Sequence, residues 1–396
     1  MRLRWRVATT IAASLLVSSV AGAQSFQLFE ATIDDVHAAL TSRQITCREL
    51  VQRYLDRIEA YDETGPALNA IQHINPSALQ QAESLDSTFA ASGPVGALHC
   101  IPVLLKDQVE TRDMPTTYGS ALFEGFVSGR DATIVVRMQE AGAIILAKTN
   151  MGEFASRYVG SAFGVIRNAY DPTRNPSGSS GGTGSGIAAN FGMVGIGEDT
   201  GGSIRGPAAV HSLVGLRPTV PLVSRYGMMP ANPSSDTLGP MARTVRDAAI
   251  LLDVLAGYDP RDPVTAYAAG QVPDSYVAGL AADGLQGARI GVIREPMDPK
   301  TDSASDDYRQ VRAVVDRAIA DLQTLGAVVV DPVVVPGLDS AQQTYVWNNF
   351  ETEQAMNAYL AEHADAPIET VQDILLSGIV TPWRAKGLMN VVGKST

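Results

Sequence analysis

The chain has 396 residues, of which 45% are hydrophobic and 18% are charged. This composition is that of a globular protein with ample length for a large core, and it excludes collagen-like and disordered chains. The net charge of −12 at neutral pH, without any basic cluster, disfavours a nucleic-acid-binding role.

The first 24 residues, MRLRWRVATTIAASLLVSSVAGAQ, have the pattern of a secretory signal peptide. Arginines begin the segment, an uncharged run follows from Val7 to Val20, and Ala-Gly-Ala ends at Ala23 as a small-residue cleavage site. A transmembrane anchor is the alternative, but the uncharged run is short for a membrane span. We therefore expect residues 1–23 to be removed and the mature chain to be secreted or periplasmic.

Helix and strand patterns alternate along the rest of the chain. The segment TCRELVQRYLDRIEAYD predicts a helix, because Thr46 and Glu49 form a capping box and apolar residues recur on one face. Further helices are predicted in PSALQQAESLDSTFA, DATIVVRMQEAG, GSGIAANFG, TVRDAAILLDVLAG and DDYRQVRAVVDRAIADLQTLG. Strands are predicted in CIPVLLKD, AIILAKTN, MVGIGED and ARIGVIRE, and a buried strand in AVVVDPVVV. This alternation predicts an α/β fold with a largely parallel sheet.

Cysteine and histidine usage gives no sign of a metal centre. Cys47 and Cys100 are the only cysteines, and we expect two small buried thiols, although export would permit a disulfide. The five histidines are scattered without the spacing of metal ligands. We expect neither a metal nor a cofactor.

Residues 176–205, PSGSSGGTGSGIAANFGMVGIGEDTGGSIR, are unusually rich in glycine and serine. A flexible linker is disfavoured because the stretch contains an apolar helix and strand. A phosphate-binding loop is disfavoured because the stretch has no lysine. Gly178–Gly182 fits the G-x-S-x-G elbow of an α/β-hydrolase with Ser180 as nucleophile, but a polar loop with prolines precedes it instead of a buried strand.

The remaining interpretation combines two serine clusters, around Ser179 and Ser203, with Lys106 at the end of the predicted strand CIPVLLKD. These segments resemble the amidase signature family, whose motifs are GIPV-x-x-KD, GGSSGG and GTDTGGSIR-x-PA. The similarity extends over roughly residues 33–335 and includes AKTNMGEF, GLRPT and DTLGPMARTVRDAA. It implies an α/β amidase signature fold, with one large mixed, mostly parallel β-sheet and helices on both faces.

The resemblance also implies a single amidase domain over residues 24–396. Family members usually continue well beyond this length, so we expect the domain to be short at its C-terminus. It implies a catalytic triad in which Ser203 is the nucleophile, Ser179 relays the proton after a cis peptide bond, and Lys106 is the base. A lysine can accept a proton at neutral pH only if its pKa is lowered, and burial has that effect.

Other residues are assigned roles around the triad by the same resemblance. The oxyanion hole is expected to use backbone N–H groups of Thr200, Gly201, Gly202 and Ser203 itself. Supporting hydrogen bonds are expected from Ser180, Asp199 and Arg205.

The implied reaction is hydrolysis of a carboxylic amide to an acid and ammonia or an amine through an acyl-enzyme. The expected partner is a small-molecule or peptide amide, with no nucleic acid and no membrane after signal cleavage. Two alternatives stay open. One is a catalytically inactive, truncated amidase-like protein with a binding role, and the other is an esterase that uses Ser180.

Overall fold

A computed structural model describes residues 26–294, 302–338, 340–341 and 349–394. The predicted signal peptide, residues 1–23, lies outside this part of the chain. Within the described ranges, no helix is both long enough and apolar enough to cross a membrane.

The described elements alternate between helices and strands. The α-helices are α1 (Ile33–Thr41), α2 (Cys47–Tyr61), α3 (Ala78–Ser92), α4 (Thr133–Glu140), α5 (Gly181–Ala188), α6 (Arg205–Val210), α7 (Val245–Leu255), α8 (Asp306–Thr324), α9 (Asn349–Ala361), α10 (Val371–Leu376) and α11 (Pro382–Met389). The strands are β1 (Ile71–Ile74), β2 (Pro102–Lys106), β3 (Ile144–Thr149), β4 (Val159–Gly160), β5 (Gly164–Val165), β6 (Val194–Asp199), β7 (Val214–Gly215), β8 (Thr237–Ala242), β9 (Arg289–Gly291) and β10 (Val328–Val330).

A mixed sheet of six strands, in the order β1-β3-β2-β6-β8-β7, forms the centre of the fold. Strands β3, β2 and β6 pair in parallel, whereas β1 and β8 run antiparallel to their neighbours. Because β7 is antiparallel to β8, it has the same direction as the parallel strands. Most strands therefore run in one direction, as expected for this α/β fold.

The three parallel strands are buried along their whole length. Such strands need cover on both faces of the sheet, and helices α3, α4, α5 and α7 pack against them. Helix α5 lies close to the sheet because it contains glycines. A Cβ atom at Gly182 would lie 2.2 Å from the backbone carbonyl oxygen of Asn150, directly after β3. The glycine-rich sequence of α5 is thus required by close packing.

A disulfide joins Cys47 and Cys100, which corrects the expectation of two free thiols. Cys47 begins α2 and Cys100 lies just before β2, and the two Cα atoms are 5.5 Å apart, a normal separation for a disulfide. The two residues are 53 positions apart in the chain. Their proximity arises from tertiary packing in a shared hydrophobic core, which sequence spacing does not reveal.

The predicted strand AVVVDPVVV is also not buried as expected. Its observed part, β10, pairs in parallel with β9 in a separate two-stranded sheet. Val328 and Val330 are exposed, and α8 has no buried residue. Among the described elements, β10 packs mainly with β9 and α8, so this unit stands apart from the central sheet.

Candidate active site

The carboxyl ends of two neighbouring parallel strands bring a lysine and a glutamate together. Lys106 ends β2, and Glu198 lies near the end of β6. Both side chains are fully buried. Lys106 Nζ lies 2.8 Å from Glu198 Oε2 and 2.7 Å from Ser179 Oγ. Lys106 is therefore in direct contact with one of the two predicted catalytic serines.

Ser179 lies just before α5, and the Gly178–Ser179 peptide bond is cis, as the resemblance implied. The backbone at Gly178 is pressed against the loop that contains Arg157. A Cβ atom at Gly178 would lie 1.7 Å from the Arg157 carbonyl oxygen. No residue with a side chain fits here without movement of the loop, so glycine is required directly before Ser179.

Ser180 joins the two serine segments but is not available as a nucleophile. Its side chain is fully buried. Its hydroxyl donates to the Glu198 carbonyl at 3.1 Å and accepts from the Glu198 N–H at 3.2 Å. The Ser180 N–H donates to the Ser203 carbonyl at 3.3 Å. Ser180 thus holds β6 and the Ser203 loop together, and this arrangement does not favour a hydrolase elbow.

Ser203 is partly exposed and lines a cavity of about 430 Å³ together with Thr200 and Gly201. A cavity of this size accommodates a small organic molecule. The Gly202 N–H donates to Asp199 Oδ1 at 2.6 Å in this structure. The oxyanion roles of Thr200, Gly201 and Gly202 stay predictions.

Asp199 organises the loop around Ser203. It accepts from the backbone N–H groups of Gly202 and Ile204 and pairs with Arg205 Nε at 3.1 Å. Arg217 Nε lies 3.3 Å from Asp199 Oδ1. Burial acts to raise the pKa of Asp199, but these hydrogen bonds outweigh it, and the pKa is lowered. Asp199 is therefore a charged structural anchor for the loop, with Arg205 as its partner.

The charge state of Lys106 is set by two opposing effects. Burial lowers the pKa of Lys106, whereas the negative charge and hydrogen bond of Glu198 raise it. Burial is the larger effect, so the pKa of Lys106 is lowered. A lowered pKa is what a lysine needs to act as a base near neutral pH.

A hydrogen-bond chain continues from Glu198 to a second buried carboxyl group. Thr200 Oγ1 lies 2.7 Å from Glu198 Oε1 and 2.7 Å from Asp236 Oδ1. A hydroxyl group has one proton and can donate to only one of these oxygens. Both contacts are hydrogen bonds when the Asp236 carboxyl group is protonated. Burial, and next the charge of Glu198, raise the pKa of Asp236 to about 7, so Asp236 holds this proton below neutral pH.

Neither Glu198 nor Asp236 is among the site residues that the family resemblance implies. A signal for Glu198 was present, because GEDTGG has glutamate where the family motif GTDTGG has threonine. Asp236 begins the family segment DTLGPMAR, but nothing in the sequence indicates that this residue reaches Thr200.

A second buried lysine, Lys148 in AKTN, was also not predicted. It lies on β3 beside β2 and donates to Thr116 Oγ1 at 2.9 Å, and its Nζ is 3.7 Å from Asp107 Oδ1. Burial lowers the pKa of Lys148 to about 8, against the opposing charge of Asp107. These contacts hold the segment that follows β2 in position.

Comparison with known proteins shows the family of the chain. The sequence profile described as Amidase matches residues 49–394. A probable amidase of Arabidopsis thaliana is 35% identical over 376 residues, which are 90% of this chain and 70% of that protein. A glutamyl-tRNA(Gln) amidotransferase subunit of Acidothermus cellulolyticus is 45% identical over 271 residues. That match covers 68% of this chain but only 52% of the relative.

Solved structures show the same fold. The native peptide amidase of Stenotrophomonas maltophilia superposes with a TM-score of 0.85 at 35% identity, over 94% of this chain and 77% of that one. An amidase family protein of Bacillus anthracis superposes with a TM-score of 0.80 at 33% identity, over 89% of this chain and 69% of that one. The chain therefore belongs to the amidase signature family of hydrolases, which act on the carbon–nitrogen bonds of amides.

Proposed function

We propose that this chain is an exported amidase that hydrolyses a carboxylic amide through an acyl-enzyme on Ser203. The observation that carries the proposal is the 2.7 Å contact between the buried Lys106 Nζ and Ser179 Oγ, close to a cavity lined by Ser203. A buried amine with a lowered pKa, in contact with a hydroxyl group, is suited to proton transfer.

In the proposed reaction, Ser203 Oγ attacks the amide carbonyl carbon, and a C–O bond forms as the carbonyl oxygen becomes an oxyanion. The Ser203 proton passes to Ser179, whose own proton passes to neutral Lys106. When the C–N bond breaks, the leaving nitrogen receives a proton by the reverse route. Water then attacks the acyl group on Ser203 by the same relay, and the acid leaves.

Export is supported by two independent features. The N-terminal segment predicts a signal peptide, and Cys47 and Cys100 form a disulfide. Disulfides persist in oxidising compartments and are rare in the cytosol. Expression of the full chain with its N-terminal segment tests this point. Recovery of a mature protein that begins at Gln24 outside the cytoplasm supports export, and an uncleaved cytoplasmic chain contradicts it.

Labelling with a fluorophosphonate tests the mechanism. We expect one adduct on Ser203, detected by intact mass and peptide mapping. Ser203→Ala should abolish the adduct, and Lys106→Ala should slow labelling at least about 100-fold, the scale of general-base assistance. An adduct on Ser180 would favour the esterase alternative. A folded chain with no adduct would favour the inactive, binding-only alternative.

A second candidate role is amide transfer connected with tRNA, favoured by the 45% identity with the amidotransferase relative. It ranks second because the N-terminal segment predicts export and the net charge is −12, which opposes RNA binding. Amide hydrolysis by the purified chain without any tRNA would support the first role. Hydrolysis that requires charged tRNA would support the second.

A further inference from the structure

The cavity beside Ser203 has a positively charged wall. Two arginines, Arg157 and Arg384, are among its lining residues, and no aspartate or glutamate is. The remaining lining is polar or small, apart from Phe154 and Val391. This positive charge is local, since the whole chain carries −12.

Arg384 lies on α11 and has no hydrogen-bond or ion-pair partner among the described residues. Its Nε atom is buried without a hydrogen bond. The negative charge of Glu153 acts on Arg384, but the Glu153 carboxylate accepts from the Thr381 backbone at 2.9 Å and also from the Thr381 hydroxyl. Burial lowers the pKa of Arg384 to about 10, so its guanidinium stays charged at neutral pH. Arg384 is only partly exposed, and a charge largely withdrawn from water without a direct partner is costly.

Arg157 reaches the same cavity from the loop that presses on Gly178. Its guanidinium stacks on the Trp383 ring at 4.8 Å, next to Arg384 in the chain, and makes no ion pair within the described ranges. The loop backbone is held in the left-handed region at Phe154, Ala155 and Arg157. Such strain in non-glycine residues persists where the surrounding structure enforces it and often marks a functional site.

We propose that this cavity selects amides that also carry a carboxylate group, which Arg384 and Arg157 bind while the amide carbonyl lies at Ser203. A guanidinium donates two parallel hydrogen bonds to a carboxylate, and the resulting ion pair would give Arg384 a direct partner, which the described residues do not supply. The inference rests on the proposed function, because it assigns the cavity to the substrate of Ser203. The carboxylate can belong to either side of the scissile bond.

Binding to the Ser203→Ala chain tests the inference without turnover. The probes form two pairs, measured by calorimetry: succinamate with butyramide for the acyl side, and N-acetylglycine with N-propylacetamide for the amine side. We expect the carboxylate member of at least one pair to bind 10-fold or more tightly than its neutral partner. The pair that shows this preference identifies the side. Equal or weaker binding of both carboxylates would overturn the inference.

Arginine variants test which residues are responsible. Arg384→Gln should reduce the preference at least 10-fold, and Arg384→Lys should restore part of it, since lysine keeps the charge without the planar fork. Arg157→Gln, on an exposed side chain in a different segment, should reduce the preference independently. Lys386→Gln is the matched control, because Lys386 is exposed on the same helix and does not line the cavity. A preference that survives the double arginine variant would overturn the assignment.

Amide hydrolysis by the chain with Ser203 intact distinguishes the proposed carboxylate preference from the proposed amidase function. Hydrolysis of neutral amides at the same rate as carboxylate amides would overturn this inference and leave the amidase function intact. Selective binding of carboxylate amides without hydrolysis of any amide would support the inference and contradict the amidase function.

Discussion

Lys106 and Glu198 form a fully buried ion pair, with 2.8 Å between Nζ and Oε2, while the same Nζ contacts Ser179 Oγ. The carboxylate favours the charged form of Lys106, which opposes its use as a base. Hydrogen bonds through the Thr200 hydroxyl connect Glu198 to a second buried carboxyl group, that of Asp236. The balance among these groups determines the pH at which Lys106 becomes neutral.

Glu198→Gln should shift the acid limb of the kcat/KM profile to lower pH. Glu198 raises the pKa of Lys106, so removal of its charge lowers that pKa and makes neutral Lys106 available in more acidic solution. An opposite charge at this distance shifts a pKa by about 1 to 3 units. Kinetics across pH against one amide measure the shift. Glu140→Gln, on an exposed glutamate, is the control, and an unmoved or raised acid limb in Glu198→Gln would contradict this account.

Asp236→Asn should change the pH dependence of stability. The pKa of Asp236 is raised from 3.8 to about 7 in the folded protein, so its contribution to stability is present below about pH 4 and is lost as pH rises through about 7. A shift of about three units corresponds to about 4 kcal/mol. Asparagine can keep the hydrogen bonds from the Ala231 and Asn232 N–H groups without titrating.

Urea unfolding at pH 5 and pH 8 measures this effect. The stability of Asp236→Asn relative to the parent chain should increase between these two pH values. If the two stability curves run parallel, Asp236 does not titrate in this range and the raised pKa is wrong.

Gly178→Ala should impair catalysis because a Cβ atom would lie 1.7 Å from the Arg157 carbonyl oxygen. The loop and Ser179 must then move apart, and misplacement of a catalytic group by about 1 Å costs about 100-fold in rate. Steady-state kinetics with one amide measure the loss. Gly279→Ala is the control, since a Cβ at Gly279 meets nothing within 4 Å. Parental kcat/KM in Gly178→Ala would show that the loop adapts without effect.

Loss of the Cys47–Cys100 disulfide should destabilise the protein. The bond closes a loop of 53 residues, and the chain-entropy estimate for such a loop is about 4 kcal/mol. The double variant Cys47→Ala, Cys100→Ala should therefore unfold at lower denaturant concentration than the parent. The parent protein, when it is denatured without a reducing agent, should also react with no maleimide, because both of its cysteines are in the disulfide. Uptake of two maleimides before reduction would contradict the disulfide.

Much of the fold was predictable from local patterns. The capping box of Thr46 and Glu49 starts α2 as expected, and the apolar segments around Lys106 and Glu198 form the parallel strands β2 and β6. Strand β8 was not predicted, because TLGPMA contains glycine and proline and lacks the usual alternation. Its place in the sheet depends on pairing with β6, which is a tertiary effect.

The candidate site was predictable only at residues that belong to the family motifs. The family motifs associated Lys106 with Ser179, and the structure brings them to 2.7 Å. Glu198 is not part of the family motif, although its position in a buried strand beside Lys106 follows from parallel pairing. The contact between Thr200 and Asp236 joins distant segments, and no local pattern indicates it.

The proposed base Lys106 and the cavity arginine Arg384 come from different parts of the fold. Lys106 and Glu198 are fixed by the pairing of β2 with β6, whereas Arg384 belongs to a short helix near the end of the described chain. If Arg384 binds substrate as proposed, substitutions on that helix should change which amide is bound and leave the contact of Lys106 with Ser179 intact. We therefore expect the proposed chemistry to depend on the sheet and the proposed selectivity to depend on this helix.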